Sequence, residues 1–540
     1  TVSGLAPSFG RGSMTSHWCD FANADVIMSI GSNNVENHPL SSRWVERAQD
    51  KGATWIVIDP RYSRSAAQAD IYGRLRPGTD IAFFGGLINY IIENDLWHHE
   101  YVLNYTNAAN IIRDDYNFDP VTGLFSGWSP DKKKYDSTTW GYDVDVQRQW
   151  NTSEGSPFAW VNKPGTPKFK TPALKVLKKD MTLSNPRCAF NILKKHFSRY
   201  TLDVVNRITG MDKDVLLKVW QTYASTGKPD RAGSILYALG ETQHTYGSQN
   251  CRIMCLVQLL LGNIGVAGGG INAMRGEPNV QGSTDHALLY HVLPGYIGLP
   301  LAPWQTLAQF NKANTPVTKI PNSANWWGNR PKYFASLLKG WYGEEAKPEN
   351  DFCYGLLPKG EPGADYSYMY VMDKMYQGKI KGGFVFGVNP MNSFPNTNKM
   401  RKALDNLDWM VCAELHNSET TDNWHRPGVD PKKMKTEVFL LPSAHRVEKA
   451  GTISNSGRWL LWFDKAVEPA GEARNFADMF VPLINKLREL YKAEGGKLPE
   501  ALLKMNWPEK YDPEEWTSRI NGFFWADNKI GNRLYKKGDL

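Results

Sequence analysis

An arginine in a glycine-rich loop is the residue of this sequence best suited to hold a small anion. In the stretch GNIGVAGGGINAMRGEPNVQG, from Gly262 to Gly282, Arg275 stands between Met274 and Gly276, with Glu277 two positions on. A planar guanidinium grips a carboxylate or another planar oxyanion through two parallel hydrogen bonds, a geometry lysine does not reproduce. Pro278 pushes Glu277 towards an extended conformation. Three consecutive glycines, Gly268 to Gly270, leave the backbone open to close approach, as a wall against a cofactor would require. On local grounds a glycine-rich helix exit carrying a solvated Arg-Glu pair accounts for the same residues.

A second set of chemistry-bearing residues is duplicated. Gly31, Asn33 and Pro39 of GSNNVENHP share their spacing with Gly387, Asn389 and Pro395 of GVNPMNSFP. Each copy follows an apolar strand, VIMSI or FVF. Each is followed, after a helical stretch, by a strand that opens at a tryptophan, Trp55 or Trp409, and ends in an acid, Asp59 or Glu414. Five shared features in one order point to two copies of a nucleotide-binding half, with the acids placed for ribose hydroxyls or a guanine edge. A helix-capping role is the structural alternative for these acids.

The elements that must carry these residues alternate between strand and helix. A strand over Asp25 to Ile30, a helix through Trp44, Val45 and Ala48, and a strand over Thr54 to Ile58 form a parallel unit. The extended piece IYGRLR then leads to Pro77-Gly78-Thr79-Asp80, where Thr79 or Asp80 can cap a long apolar helix from Ile81 to Asn94. From about 110 to 185 the periodicity dissolves, as in a surface insertion. Helices near Asn191 to Arg207 and Asp212 to Thr226, a strand from Ser234 to Leu239 and the turn Gly240 to Gln243 follow. An apolar helix through Ile253, Leu256 and Leu260 then delivers the chain into the glycine loop. The passage 292 to 365 is rich in Pro, Trp and Asn.

Composition narrows the class. The chain has 540 residues, 41% hydrophobic and 12% aromatic, enough for several cores. A net charge of +8, from 63 basic against 55 acidic residues without a long basic run, gives no footprint for nucleic acid. Six scattered cysteines form neither a disulfide framework nor a closed metal site, and Cys251 and Cys255 read as core residues. No apolar run reaches the length of a membrane span.

Six stretches carry a family resemblance: GSNNVENHP, IVIDPRYSRSAAQAD, RPGTDIAFFGG, YALGETQHTYGSQN, LLLGNIGVAGGGINAMRGEPNVQGSTD and PSAHRVEKAGTISNSGRW. Together the chain resembles the catalytic (alpha, or major) subunit of the molybdenum or tungsten formate dehydrogenases. The resemblance implies an α/β fold of two homologous doubly wound, Rossmann-like domains, that of the molybdopterin oxidoreductases (the DMSO reductase family). It implies a bis-molybdopterin guanine dinucleotide cofactor lying between those domains. Asn33, Asn37, Asp59, Arg61, Gly78, Asp80, Gly240 and Gln243 match positions that hold one dinucleotide; Gly387, Asn389 and Glu414 match the other, with Arg458 a weaker candidate. Arg275 would clamp formate while its hydride passes to the metal-sulfur unit. Glu277 would either relay protons or orient the arginine. The expected domains are 1–277, with the insertion near 110–185, then 278–445, then a return segment over 446–540.

The same resemblance marks departures. A [4Fe-4S] cluster motif and a selenocysteine or cysteine ligand followed by His-Gly-Pro would lie before Thr1, and a closing β-barrel domain after Leu540. The expectation is therefore a middle section of the enzyme, inactive alone and of the selenocysteine type. Its expected partners are formate, an iron–sulfur electron-transfer beta subunit and a membrane or cytochrome subunit. The expected compartment is the periplasm, with the cytoplasm as alternative. A nitrate or polysulfide reductase and an inactive cofactor-binding fragment are the competing readings.

Overall fold

The computed structural model describes residues 1–10, 12–147, 174–275, 280–317, 325–457, 459–497, 499–516, 527–530 and 533–536. The chain folds as two compact units, Thr1–Pro278 and Asn279–Leu540.

The first unit is built on five parallel strands: β1 (Val26–Ile30), β2 (Thr54–Ile58), β3 (Ile71–Gly73), β4 (Gly233–Tyr237) and β5 (Gly270–Ala273), in the spatial order β3-β2-β1-β4-β5. β1 pairs with β2 from Val26↔Thr54 and with β4 from Val26↔Gly233, which puts the switch in strand order between β1 and β4. Strands buried on both faces read as continuous apolar runs, and β1 is buried at every position. Val26, Met28 and Ile30 join one core with Ile56 and Ile58, whereas Ile27 joins the opposite core with Trp55 and Val57. Ser29, the polar exception in β1, accepts a hydrogen bond from Trp55 Nε1 at 3.0 Å.

Helices cover both faces. The helix α1 (Val2–Phe9) contributes Leu5 to the first core. α2 (Asn34–Asn37) and α3 (Pro39–Gln49) follow β1, and Val45 and Ala48 of α3 enter the second core. α4 (Asp80–Glu93) and α5 (Gly247–Leu260) line the first core with Phe83, Phe84, Leu87, Ile253 and Val257. The expected cap of α4 is not made by either candidate: the Thr79 hydroxyl donates back to the Arg76 carbonyl at 2.7 Å, and Asp80 is itself the first helical residue. The helical region near 191–207 divides into Ala189–Phe197 and Leu202–Thr209, because Thr201 caps the second piece through the Val204 N–H. Two short antiparallel strand pairs, Trp128–Ser129 with Lys134–Tyr135 and Val144–Gln147 with Leu174–Leu177, occupy the stretch expected to be an insertion.

The second unit carries a three-stranded parallel sheet, β6 (Gly382–Phe386), β7 (Trp409–Glu414) and β8 (Glu437–Pro442), in that order. α6 (Pro390–Ser393) and α7 (Thr397–Asp405) follow β6, and a core of Met391, Met400, Leu404, Met410 and Cys412 lies beside it. The sequence reads β6 as a buried strand, but Phe384 is 46% exposed. Its ring meets Trp409 and Phe480, and Phe480 lies on the helix Phe476–Glu494, which also sets Phe476 and Phe480 against Phe386 and covers the strand only in part. The Pro- and Trp-rich passage holds its own core, Phe310, Phe334, Leu338 and Tyr354, on helices Leu307–Asn314 and Arg330–Tyr342. A Thr306/Gln309 capping box starts the first of these helices.

Candidate functional site

The loops at the carboxyl ends of β1, β2 and β4 gather most of the first set of candidate residues. Gly31, just past β1, takes φ +56°, and its carbonyl accepts the Gly240 N–H at 3.1 Å. The two backbones touch so closely that a Cβ on Gly240 would lie 2.5 Å from Gly31 Cα. Gly78 has φ +80°, and its carbonyl accepts the Tyr246 hydroxyl at 2.9 Å. Gln243 is exposed at the end of the short helix Leu239–Thr242.

Carboxylates collect beneath these loops. Asp59 accepts the Arg61 backbone N–H at 2.8 Å, closing a local turn, while the Arg61 residue is exposed. Burial, with a further contribution from Asp80, raises the Asp59 carboxyl above its ordinary range. Asp80 is 4% exposed, and its Oδ2 is sealed from solvent without a hydrogen-bond partner. Buried acceptors left without donors are rare in folded proteins, so this set fits a ligand that presents N–H or O–H groups.

The duplicated motif folds the same way twice. After β1 the Gly31 N–H donates to the Ile58 carbonyl, and after β6 the Gly387 N–H, at φ +63°, donates to the Ala413 carbonyl, both at 3.2 Å. Asn33 and Asn389 each stand at the N-terminus of the short helix that follows. Asn33 Oδ1 accepts the Ser65 hydroxyl at 2.9 Å, and Asn389 Oδ1 accepts the Thr420 hydroxyl at 2.7 Å. Those hydroxyls accept the N–H two residues beyond each asparagine, Val35 and Met391, both at 3.1 Å. The asparagine amides donate to Glu36 and Glu419. The acids differ: Glu414 accepts the Val388 N–H at 2.8 Å, bridging back to the loop after β6, whereas Asp59 serves its own turn. Burial raises Glu414 above its ordinary value.

Arg275 leaves β5 with its chain turned by an N–H bond to the Ala273 carbonyl at 3.0 Å, and its Nη2 donates to the Gly12 carbonyl. Its own carbonyl is 2.8 Å from His38 Nε2, and His38 Nδ1 is 2.7 Å from Asn37 Oδ1. A buried imidazole therefore ties the arginine to the loop that carries Asn33 and Asn37. Burial lowers the His38 value, only partly opposed by the Arg275 carbonyl. The three glycines upstream do not form a cofactor wall. A Cβ on Gly268 would meet the Asn23 backbone at 2.3 Å, one on Gly269 the Asn263 carbonyl at 2.2 Å, and one on Gly270 the Ser16 and Thr15 hydroxyls, so the chain fills this space itself.

Glu277 and Arg458 lie outside the described residues. Cys251 and Cys255 are buried, and burial pushes the Cys255 thiol up to about 11, as a core residue. Sequence reasoning passed over His38, Ser65, Thr420 and Glu241. A signal existed for two of them, since Ser65 follows Asp59 by the same six positions that separate Thr420 from Glu414.

Comparison with known proteins supplies relatives for this geometry. A family model described as molybdopterin oxidoreductase matches residues 6–486. The chain is 63% identical over 540 residues to the formate dehydrogenase 2 subunit alpha (cytochrome c-553) of Nitratidesulfovibrio vulgaris, covering 100% of this chain and 50% of that protein. It is 47% identical to the formate dehydrogenase subunit alpha of Megalodesulfovibrio gigas and 44% identical to the nitrate-inducible formate dehydrogenase major subunit of Escherichia coli, covering 100% of this chain and 51% of each relative. The chain spans about half the length of the curated relatives it matches.

Proposed function

The chain belongs to the molybdopterin oxidoreductase family, and from that premise we propose that it is the core of a formate dehydrogenase catalytic subunit, converting formate to carbon dioxide, a proton and two electrons. The observation that carries the reading is the setting of Arg275. It emerges at the carboxyl end of β5 and is tethered through His38 to the loop of the candidate cofactor residues Asn33 and Asn37. The names and identities of the relatives support the same substrate.

In this reading the cofactor is a pair of molybdopterin guanine dinucleotides carrying molybdenum or tungsten, which when bound supplies the two-electron chemistry. Asp59, Asp80, Gly78 and Gly240 in the first unit, and Gly387, Asn389 and Glu414 in the second, hold the nucleotide ends. The unpartnered Oδ2 of Asp80 is the acceptor that fits a base or ribose donor. Arg275 binds the formate carboxylate through its fork and fixes the direction of the C–H bond, a contribution of position and charge. His38 holds the Arg275 backbone so that the fork is aimed before substrate arrives. Electrons leave through iron–sulfur clusters to a partner subunit, the metal ligand is a selenocysteine, and the enzyme works in anaerobic respiration in the periplasm. The test follows dye turnover by the full-length protein, with formate and an oxidised dye or with nitrate or polysulfide and a reduced dye. Formate-driven dye reduction is expected; reduction of nitrate or polysulfide without formate oxidation overturns the reading.

A further inference from the structure

A second carboxyl lies against Asp80. Glu241, on the short helix Leu239–Thr242 after β4, is 0% exposed, and neither of its carboxyl oxygens has a hydrogen-bond partner. The Asp80 side chain is within hydrogen-bonding reach of it, and Asp80 Oδ2 is likewise sealed and unpartnered. Asp59 and Cys251 also act on Glu241. Asn250 of α5 donates its amide to the Glu241 backbone carbonyl at 3.1 Å, and its own Oδ1 is buried without a partner.

Two carboxylates in contact and out of water cannot both carry charge, because desolvation and mutual repulsion act in the same direction. One proton resolves the arrangement, giving a donor for one orphaned oxygen and an acceptor for it on the other acid. Burial first, then the neighbouring Asp80 charge, holds the Glu241 carboxyl well above the usual carboxylate range, so the proton belongs on Glu241.

We propose that Glu241 is a positioning residue, a neutral carboxylic acid that donates its hydrogen to the Asp80 carboxylate and so fixes the group that receives the nucleotide end of the cofactor. The functional half of this inference rests on the role given to Asp80 above. The acid pair itself rests on the burial of both residues and on their orphaned carboxyl oxygens.

Infrared spectroscopy of the full-length protein, with glutamate carboxyl isotope labelling, tests the pair directly. A carboxylic-acid carbonyl band is expected at neutral pH, absent in Glu241→Gln and shifted towards weaker hydrogen bonding in Asp80→Asn. Cofactor retention is read in parallel. Glu241→Gln, whose amide still donates, keeps the dinucleotide, whereas Glu241→Leu releases it about tenfold faster, the effect of losing one hydrogen bond to a charged group. If Glu241→Leu does not fold, the infrared comparison still decides. A missing acid band in the wild type overturns the pair, and equal retention in Glu241→Leu overturns its positioning role. An acid band that shifts in Asp80→Asn as expected, with full dinucleotide retention in that variant, instead overturns the role given to Asp80, and a band that does not shift overturns the pair.

Discussion

Substituting Gly240 by alanine tests how the two loops at the strand-order switch are held. The new Cβ would sit 2.5 Å from Gly31 Cα, 2.7 Å from its carbonyl oxygen and 2.9 Å from its carbonyl carbon. All three are backbone atoms, so no side chain can swing aside. Carbon atoms rest about 3.5–4.0 Å apart, so the loops must separate by about 1 Å. That movement stretches the 3.1 Å hydrogen bond from Gly240 N–H to the Gly31 carbonyl beyond its working range. Overpacking costs about 1–3 kcal/mol and the lost bond about 1 kcal/mol, so local stability falls by about 2–4 kcal/mol. The assay is amide hydrogen exchange on a peptide covering residues 239–243, which reports local opening whether or not the whole chain unfolds reversibly. Exchange should accelerate about thirtyfold or more, since 1.4 kcal/mol is a factor of ten. Gly340→Ala, in the helix Arg330–Tyr342 with nothing near its added methyl, is the control and should stabilise its helix by about 1 kcal/mol or less. Unchanged protection in Gly240→Ala would mean that the Gly31–Gly240 contact does not set these loops.

The duplicated asparagine clasps can be opened one at a time. Ser65→Ala and Thr420→Val should each cost about 1–2 kcal/mol in local stability, read as faster exchange around Val35 or Met391, because the asparagine oxygen and a backbone N–H both lose a partner. An effect in one unit only would end the equivalence of the two motifs. Asp59→Ala and Glu414→Ala should each lower dinucleotide content of the full-length protein; unchanged content in both leaves these acids as turn-closing groups. The folded value of Glu241 is raised, so its contribution to stability is complete below the ordinary carboxyl value of about 4.3 and is lost as pH climbs towards the raised value. Glu241→Gln should therefore flatten the decline of thermal stability above that pH by up to about 1.4 kcal/mol per pH unit, and a decline as steep as in the wild type would show that Glu241 is not the group responsible.

The parallel sheet was legible because β1, β2 and β4 are apolar runs with no alternation, the mark of burial on both faces. The repeat was legible because glycine at positive φ and asparagine at a helix start are demanded by the turn itself. What joins these pieces was not. Ser65 meets Asn33 and His38 meets Arg275 across separations of 32 and 237 residues, and nothing local to a serine or histidine announces such a partner. Glu241 reads as an ordinary acid in an exposed turn until the fold buries it against Asp80. The glycines 268–270 misled for a related reason, since a small residue admits a cofactor and a neighbouring segment of its own chain equally well.

The central claim is that Arg275 binds formate, and Arg275→Lys in the full-length enzyme addresses it most directly. Lysine keeps the positive charge but loses the planar fork, so a charge-assisted bidentate contact of about 3 kcal/mol is removed. Formate-dependent dye reduction should show kcat/KM lowered about a hundredfold, with metal and dinucleotide content unchanged. A kcat/KM close to that of the wild type would contradict the account and remove Arg275 from the substrate site.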